Sequence, residues 1–123
     1  MIDNNNGTIT NKDSGLMWQQ ETPEKMTWDQ AETYCKNLNL GGYTDWRLPT
    51  IQELLSMVDY TRYIPAIDTN YFPYTASSFY WSSTVYCDLI TNVWGVDFYN
   101  GISDYYYKLS SYYVRAVRNI LEV

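Results

Sequence analysis

Leu40-Gly41-Gly42-Tyr43-Thr44-Asp45-Trp46-Arg47-Leu48-Pro49-Thr50 separates two helical patterns and sets where one stops and the next begins. Gly41-Gly42 offers the left-handed conformation that closes a helix C-terminus. At the far end, Thr50-Ile51-Gln52-Glu53 is a capping box, in which the threonine hydroxyl accepts from the third helical N–H and the glutamate reaches back. Upstream, Thr27-Trp28-Asp29-Gln30 repeats that signal, and Trp28, Ala31, Cys35 and Leu38 recur at spacings of three and four. This predicts a helix over 27–39 with that face inward and Asp29, Glu32 and Lys36 outward. Downstream, Ile51, Leu54, Leu55 and Val58 predict a shorter helix over 50–59.

Outside this pair, Gly7-Thr8-Ile9-Thr10 and Leu16-Met17-Trp18-Gln19 flank the turn formers Asn11 to Gly15, which predicts an opening hairpin. Residues 60–78 contain Pro65, Pro73 and isolated apolar residues without a period, and read as an ordered loop. Beyond them, residues 80–85, 93–98 and 112–118 are β-branched and aromatic runs that suggest an antiparallel sheet. Asn100-Gly101 is a hairpin turn signal, and Tyr105-Tyr106-Tyr107 supplies a further strand after it. A helical first half and a strand-rich second half imply an α+β domain, two helices packed on a small antiparallel sheet.

Of 123 residues, 46% are hydrophobic, 18% aromatic and 18% charged. That suits one domain with one core and is too apolar for a disordered segment. A net charge of -6 argues against nucleic acid, whose affinity comes from neutralising phosphates. No apolar run is long enough to span a bilayer, so no membrane insertion is expected. The opening Met-Ile-Asp-Asn-Asn-Asn lacks the basic start and apolar stretch of an export signal. Histidine is absent, which removes Ser-His and Cys-His nucleophilic pairs and nearly all zinc sites. A bridge between Cys35 and Cys87 would close a long loop, worth up to about 4 kcal/mol, but the apolar helix face around Cys35 favours a small buried thiol. No cofactor is expected.

Several blocks together resemble a known family. Gly15-Leu16-Met17-Trp18, Thr27-Trp28-Asp29-Gln30-Ala31 with Tyr34-Cys35, the Gly-Gly-Tyr-Thr-Asp-Trp-Arg-Leu-Pro-Thr block with Glu53-Leu54, Tyr80-Trp81-Ser82-Ser83-Thr84 and Tyr113-Val114-Arg115-Ala116-Val117-Arg118 are similar to the C-terminal domain of the Legionella collagen-like protein family. The resemblance implies a C-type-lectin-like fold, related to that of the formylglycine-generating enzyme, serving in surface adhesion and ligand display. It also implies an extracellular, cell-surface or virion-associated setting. Members often carry a cysteine in the last strand where this chain has Ala116, so the helix-to-strand bridge from Cys35 is not expected here.

The later part of the chain also resembles the variable proteins of diversity-generating retroelements, which end this fold in a segment rewritten at adenine-containing codons. AAY codons that become NNY cannot encode Met, Trp, Lys, Gln or Glu. Residues 1–50 hold fifteen of these five types, whereas residues 82–113 hold two, Trp94 and Lys108. Strands and turns are poor in Lys, Gln and Glu in any case. Eight of the fourteen tyrosines, however, lie in residues 80–113, and no Lys or Arg occurs from Tyr63 to Tyr107. Tyrosine mixed with Ser, Asn, Asp and Gly is the composition of antibody paratopes.

The candidate ligand-binding face is therefore drawn from 86–112, within a variable segment over 82–113 that a closing strand over 114–123 follows. Tyr86, Tyr99, Tyr105, Tyr106, Tyr107 and Tyr112 are its anchors. Asp88, Asn92, Asp97, Ser103 and Asp104 set its polarity, and Leu89, Ile90, Asn100, Ile102, Leu109 and Ser110 complete it. Strand alternation assigns Trp94, Val96 and Phe98 to the core, with Asp97 and Tyr99 on the other face. Trp18, Trp28, Trp46 and Trp81 read as core aromatics, and Arg47, Arg115 and Arg118 as structural cations pairing with acids such as Asp45 or with carbonyls. Glu32, Glu53, Asp59 and Asp68 are the acids that catalysis would need, but the related enzymes depend on active-site cysteines that Cys35 and Cys87 do not match. The sugar-binding triplets of calcium-dependent lectins, Glu-Pro-Asn, Gln-Pro-Asp and Trp-Asn-Asp, are missing as well. The expected partner is a protein or calcium-independent glycan ligand on a cell or virus surface.

Overall fold

The computed structural model describes residues 1–120; the last three residues of the closing strand expected over 114–123 lie outside the described residues. The chain forms β1 (Ile2–Asp3), β2 (Thr8–Asn11), β3 (Leu16–Gln19), α1 (Trp28–Asn37), α2 (Ile51–Leu55), β4 (Phe79–Val85), β5 (Asn92–Asp97), β6 (Ile102–Tyr107) and β7 (Val117–Asn119). The fold is α+β with two small helices, but it has two antiparallel sheets where one was expected: β1-β2-β3-β7 and β4-β5-β6.

Both capping boxes form. Thr27 Oγ1 accepts from Gln30 N–H at 3.4 Å and Gln30 Oε1 from Thr27 N–H at 3.0 Å. Thr50 and Glu53 repeat the exchange at 3.2 and 2.9 Å. The helices stop earlier than their patterns. α2 ends at Leu55, and Met57 and Val58 fold inward through turn bonds to Leu54 and Leu55. α1 ends at Asn37, so Gly41-Gly42 does not cap it. Those glycines, at φ 63° and 84°, instead make a two-residue turn closed by reciprocal bonds between Leu40 and Tyr43. A positive φ at both central positions is what such a turn demands.

The run expected as one strand over 112–118 crosses between the sheets. Tyr113 bridges Tyr80 of β4, while Val117 pairs with Trp18 of β3 and bridges Arg47; only Val117–Asn119 is strand. Neighbouring residues along these strands point into two clusters. Trp18, Tyr80, Val96 and Val117 join α2's Ile51 and Leu54. Met17, Phe79, Trp81, Val93 and Ala116 join α1's Trp28, Ala31 and Cys35. The inner strands β3, β4 and β5 are therefore buried on both faces.

That corrects the reading of β5. Val96 and Phe98 are core, but Trp94 is half-buried, and the opposite face holds fully buried Val93. Gly95 is buried there too, and a Cβ on it would overlap the Tyr80 carbonyl and the Phe79 ring.

The resemblance blocks clamp one another. Trp28 Nε1 donates to Ser82 O, Ser83 N–H to Pro49 O at 2.7 Å, and Ile51 N–H to Thr84 Oγ1 at 3.0 Å. Trp46 Nε1 donates to Tyr43 O and Trp81 Nε1 to Met26 O, so these tryptophans pin loops as they fill the core. Arg118 holds Asp45 at 2.6 Å and Arg47 holds Glu53 at 2.7 Å. Arg115 is buried with no carboxylate partner among the described residues. Its guanidinium donates to the Gln19 and Gln20 carbonyls at 2.7 and 2.6 Å and to the Thr22 and Thr75 hydroxyls.

Arg115→Met should lose about 3–5 kcal/mol in urea unfolding, because it strands buried acceptors around a site built for a cation. Cys35 and Cys87 are both free thiols, the first buried and the second exposed. Burial pushes the Cys35 thiol up to about 12. Native protein should accordingly take up one equivalent of a thiol reagent, at Cys87, and denatured protein two. Since the folded value lies above the unfolded one, Cys35 contributes its stability in full below pH 9 and loses it as pH rises toward 12. The stability margin of wild type over Cys35→Ala should narrow over that range.

Candidate functional site

The segment 86–112 is two hairpin ends joined by an edge strand. At the β4–β5 end, residues 86–91 form a tight loop closed by Tyr86 N–H on Asn92 O and Asn92 N–H on Leu89 O, both 2.9 Å. Asp88, Leu89 and Ile90 project from its tip into solvent. The end of β6 returns beside it through Lys108 N–H on Thr91 O, which brings Tyr107, Leu109 and Ser110 to the same end. At the opposite end, the β5–β6 turn carries Tyr99 and Asn100. Asp97 Oδ1 accepts Tyr99 N–H, Asn100 Oδ1 accepts Ile102 N–H, and Gly101 takes φ 82°. The six residues of β6 between them span about 20 Å, so the nominated residues make an elongated surface, not a single patch.

None of these nominated positions is fully buried. Asp88, Leu89, Ile90, Tyr99, Asn100, Ile102, Asp104, Tyr105, Tyr106, Tyr107 and Leu109 are exposed, and Tyr86, Asn92, Asp97, Ser103, Ser110 and Tyr112 are half-buried.

Two aromatic groups lie on opposite faces of the β5–β6 pair. On one, Tyr86 stacks on Tyr105 with centroids 4.0 Å apart and planes 7° from parallel, and Trp94 meets both edge-on. That is why Trp94 is only half-buried: it supports surface tyrosines. On the other face, Tyr106 and Tyr112 pack on Phe79 at 4.7 and 4.9 Å. Desolvation, then Asp104, raises the Tyr106 phenol above its ordinary value. Tyr86, Tyr105, Tyr106 and Tyr112 are thus braced ring against ring, presenting area at low entropic cost.

Charge on this surface is one-sided. Asp88, Asp97 and Asp104 lie on it, while Lys108, its one cation among the described residues, sits with Nζ 4.7 Å from the Trp28 ring.

The acids considered for catalysis lie elsewhere. Hydrogen bonds from Arg47 hold Glu53 below the usual carboxylate range, and Asp59 and Asp68 both engage Arg62. Glu32 lines a concavity of about 460 Å³ with Asp29, Lys36, Trp46 and Arg47, to which 86–112 contributes no wall.

The clamped blocks fall within one family model, the Lcl C-terminal domain, which matches residues 7–118. The chain belongs to this family. Among curated proteins none matches it. Membership in the Lcl C-terminal domain family points to a surface or ligand-binding domain. In this Lcl C-terminal domain the Asp45-Trp46-Arg47-Leu48-Pro49-Thr50 block anchors β4, β4 carries β5, and β5 carries the exposed edge β6.

Sequence reasoning did not nominate Tyr60, Tyr63 and Ile64. They are exposed beside Tyr99, on the stretch read only as a loop. A lone tyrosine in a loop has no periodicity to mark it; its neighbour across the chain is what distinguishes it.

Substitutions should separate display from support. Ile90→Ser, Tyr99→Ser and Leu109→Ser should each shift stability by no more than about 0.5 kcal/mol. Phe98→Ala should cost about 3–5 kcal/mol and Gly95→Ala about 1–3 kcal/mol, the first by opening a cavity and the second by overpacking. Urea denaturation of the purified variants reads both.

Proposed function

We propose that this Lcl C-terminal domain is a ligand-binding receptor or adhesion domain on a C-type-lectin-like scaffold, with a binding face over 86–112 diversified by a retroelement. One coincidence carries the reading. The stretch poor in Met, Trp, Lys, Gln and Glu also carries the exposed residues 87–91, 99–100, 102, 104–107 and 109, on a backbone held from beneath by Val93, Gly95, Val96 and Phe98. A segment rewritten by mutagenesis needs that division between tolerant surface and constant support.

Binding in this account is surface complementarity. The braced tyrosines supply anchors, each worth up to a few kcal/mol when a ligand covers it. Asp88, Asp97 and Asp104 set the sign of the surface. No bond is made or broken in this reading, in which the domain is not an enzyme: three of its four candidate acids, Glu53, Asp59 and Asp68, serve as partners of Arg47 and Arg62. The ligand is a protein or glycan on a cell or virus surface, met outside the cell or on a virion.

Sequencing the gene across many isolates tests this. Substitutions should concentrate at adenine-templated codons between 86 and 112 while Trp81, Trp94 and Gly95 stay constant. Variation spread evenly along the chain, or synonymous within that segment, would leave a fixed-ligand adhesion domain as the better account.

A further inference from the structure

α1 and the extended segment 46–48 form two walls of the concavity of about 460 Å³, which shares no residue with 86–112. Asp29, Glu32, Thr33 and Lys36 line one wall, at the i, i+3, i+4 and i+7 positions that make one stripe of a helix, and all four are exposed. Trp46, Arg47 and Leu48 line the other. The Trp46 and Leu48 side chains turn into the core with Trp28, Ala31 and Cys35, and Glu53 and Asn119 take the Arg47 guanidinium. The second wall therefore offers main chain. Arg47 exchanges both of its backbone bonds with Val117, each at 2.9 Å, and in extended chain the groups of the residues on either side face the opposite edge. There Trp46 N–H, Trp46 O and Leu48 N–H have no partner among the described residues, and Leu48 O has only Arg47 Nη1 at 3.3 Å. Trp46 and Leu48 are 3% and 4% exposed, and main-chain groups in residues so buried rarely go unpaired.

The groove has a direction. Trp46 Nε1 donates to Leu40 O and Tyr43 O, beyond the C-terminus of α1, at 3.3 and 3.1 Å. At the other end of the segment, Pro49 O accepts from Ser83 N–H, next to the Ser82 carbonyl that takes Trp28 Nε1 in the first turn of α1. Segment 46–48 thus runs antiparallel to α1, with Leu48 toward Asp29 and Trp46 toward Lys36. None of Asp29, Glu32 and Lys36 has an ion-pair partner among the described residues. One end of the groove is acidic and the other basic, with Asp29 and Lys36 about 10 Å apart along the helix. A fully extended tripeptide is about 10 Å long.

We propose that this groove binds a zwitterionic tripeptide in extended form. The peptide lies antiparallel to 46–48, its ammonium group at Asp29 and Glu32 and its carboxylate at Lys36. Leu48 N–H donates to the carbonyl of its first residue and Trp46 N–H to its terminal carboxylate, while the N–H of its third residue donates to Trp46 O.

The test is a titration of the isotope-labelled full chain with tri-alanine at about 0.15 M salt, where long-range attraction is largely screened. Amide shifts should concentrate in 29–36 and 46–48, and hydrogen exchange at Trp46 and Leu48 should slow on saturation. N-acetyl-tri-alanine amide, which lacks both charges, should bind about fivefold more weakly or worse. Lys36→Gln and the double variant Asp29→Asn/Glu32→Gln should each weaken tri-alanine about threefold, whereas Asp13→Asn, outside the groove, should not. All of these substitutions are at exposed positions, so the variants should fold. No shift in either stretch at about 10 mM tri-alanine, well above a millimolar Kd, would overturn the proposal. Shifts centred on 99–107, or equal affinity for the blocked peptide, would do the same. Because the groove and 86–112 have no residue in common, variation among isolates over 86–112 and peptide binding here are independent results.

Discussion

A cation with no counter-anion among the described residues holds the centre of this domain. Arg115 is buried where the chain crosses from the β4-β5-β6 sheet to the β1-β2-β3-β7 sheet, and its four hydrogen bonds end on the close of β3, on Thr22 and on Thr75. Phe72 and Tyr80 place their rings 4.7 and 5.7 Å from the guanidinium. Burying an ion is costly unless every donor finds an acceptor. The folded arrangement of these segments supplies those acceptors, so the guanidinium links the register of both sheets to two loops. Gln19 extends the link, with its side-chain oxygen on Ala116 N–H and its amide on the Tyr34 hydroxyl.

Burial of the inner strands on both faces follows from that crossing and governs what is left to solvent. α1 covers one face and α2 the other, and the edge of β6 with its flanking turns is left to solvent. The surface that emerges is tyrosine-rich and acidic; Tyr106 and Tyr112 reach back onto core Phe79, while Asp88, Leu89, Ile90 and Leu109 are left to solvent. Substitution there touches little of what stabilises the fold, which suits a surface that varies or one that simply adheres.

Much of this was legible from local chemistry. The two capping boxes, the opening hairpin, the structural roles of Arg47, Arg115 and Arg118, and the buried tryptophans all depend on residues near one another in sequence or on side chains with few alternatives. The misreadings share a cause. Gly41-Gly42 satisfied the requirement of a helix end and of a two-residue turn equally well. β5 was read with one buried face because alternation cannot reveal a second layer packing on Val93 and Gly95. Residues 112–118 had the composition of one strand, but which sheet they pair with is settled by partners about a hundred residues upstream in β3.

For the proposed binding surface, composition singled out 86–112 because depletion in five residue types and enrichment in tyrosine are properties of the chain alone. The sequence by itself determined the helix starts, the turn positions, the sign of the charge and the residues available for contact, since hydrogen-bonding geometry, φ preference and ionisation act locally. Only the tertiary structure decided which tyrosines brace one another, that Trp94 supports the surface, and that Tyr60 and Tyr63 adjoin Tyr99. Those relations depend on burial and long-range pairing, which bring together residues that no spacing along the chain connects.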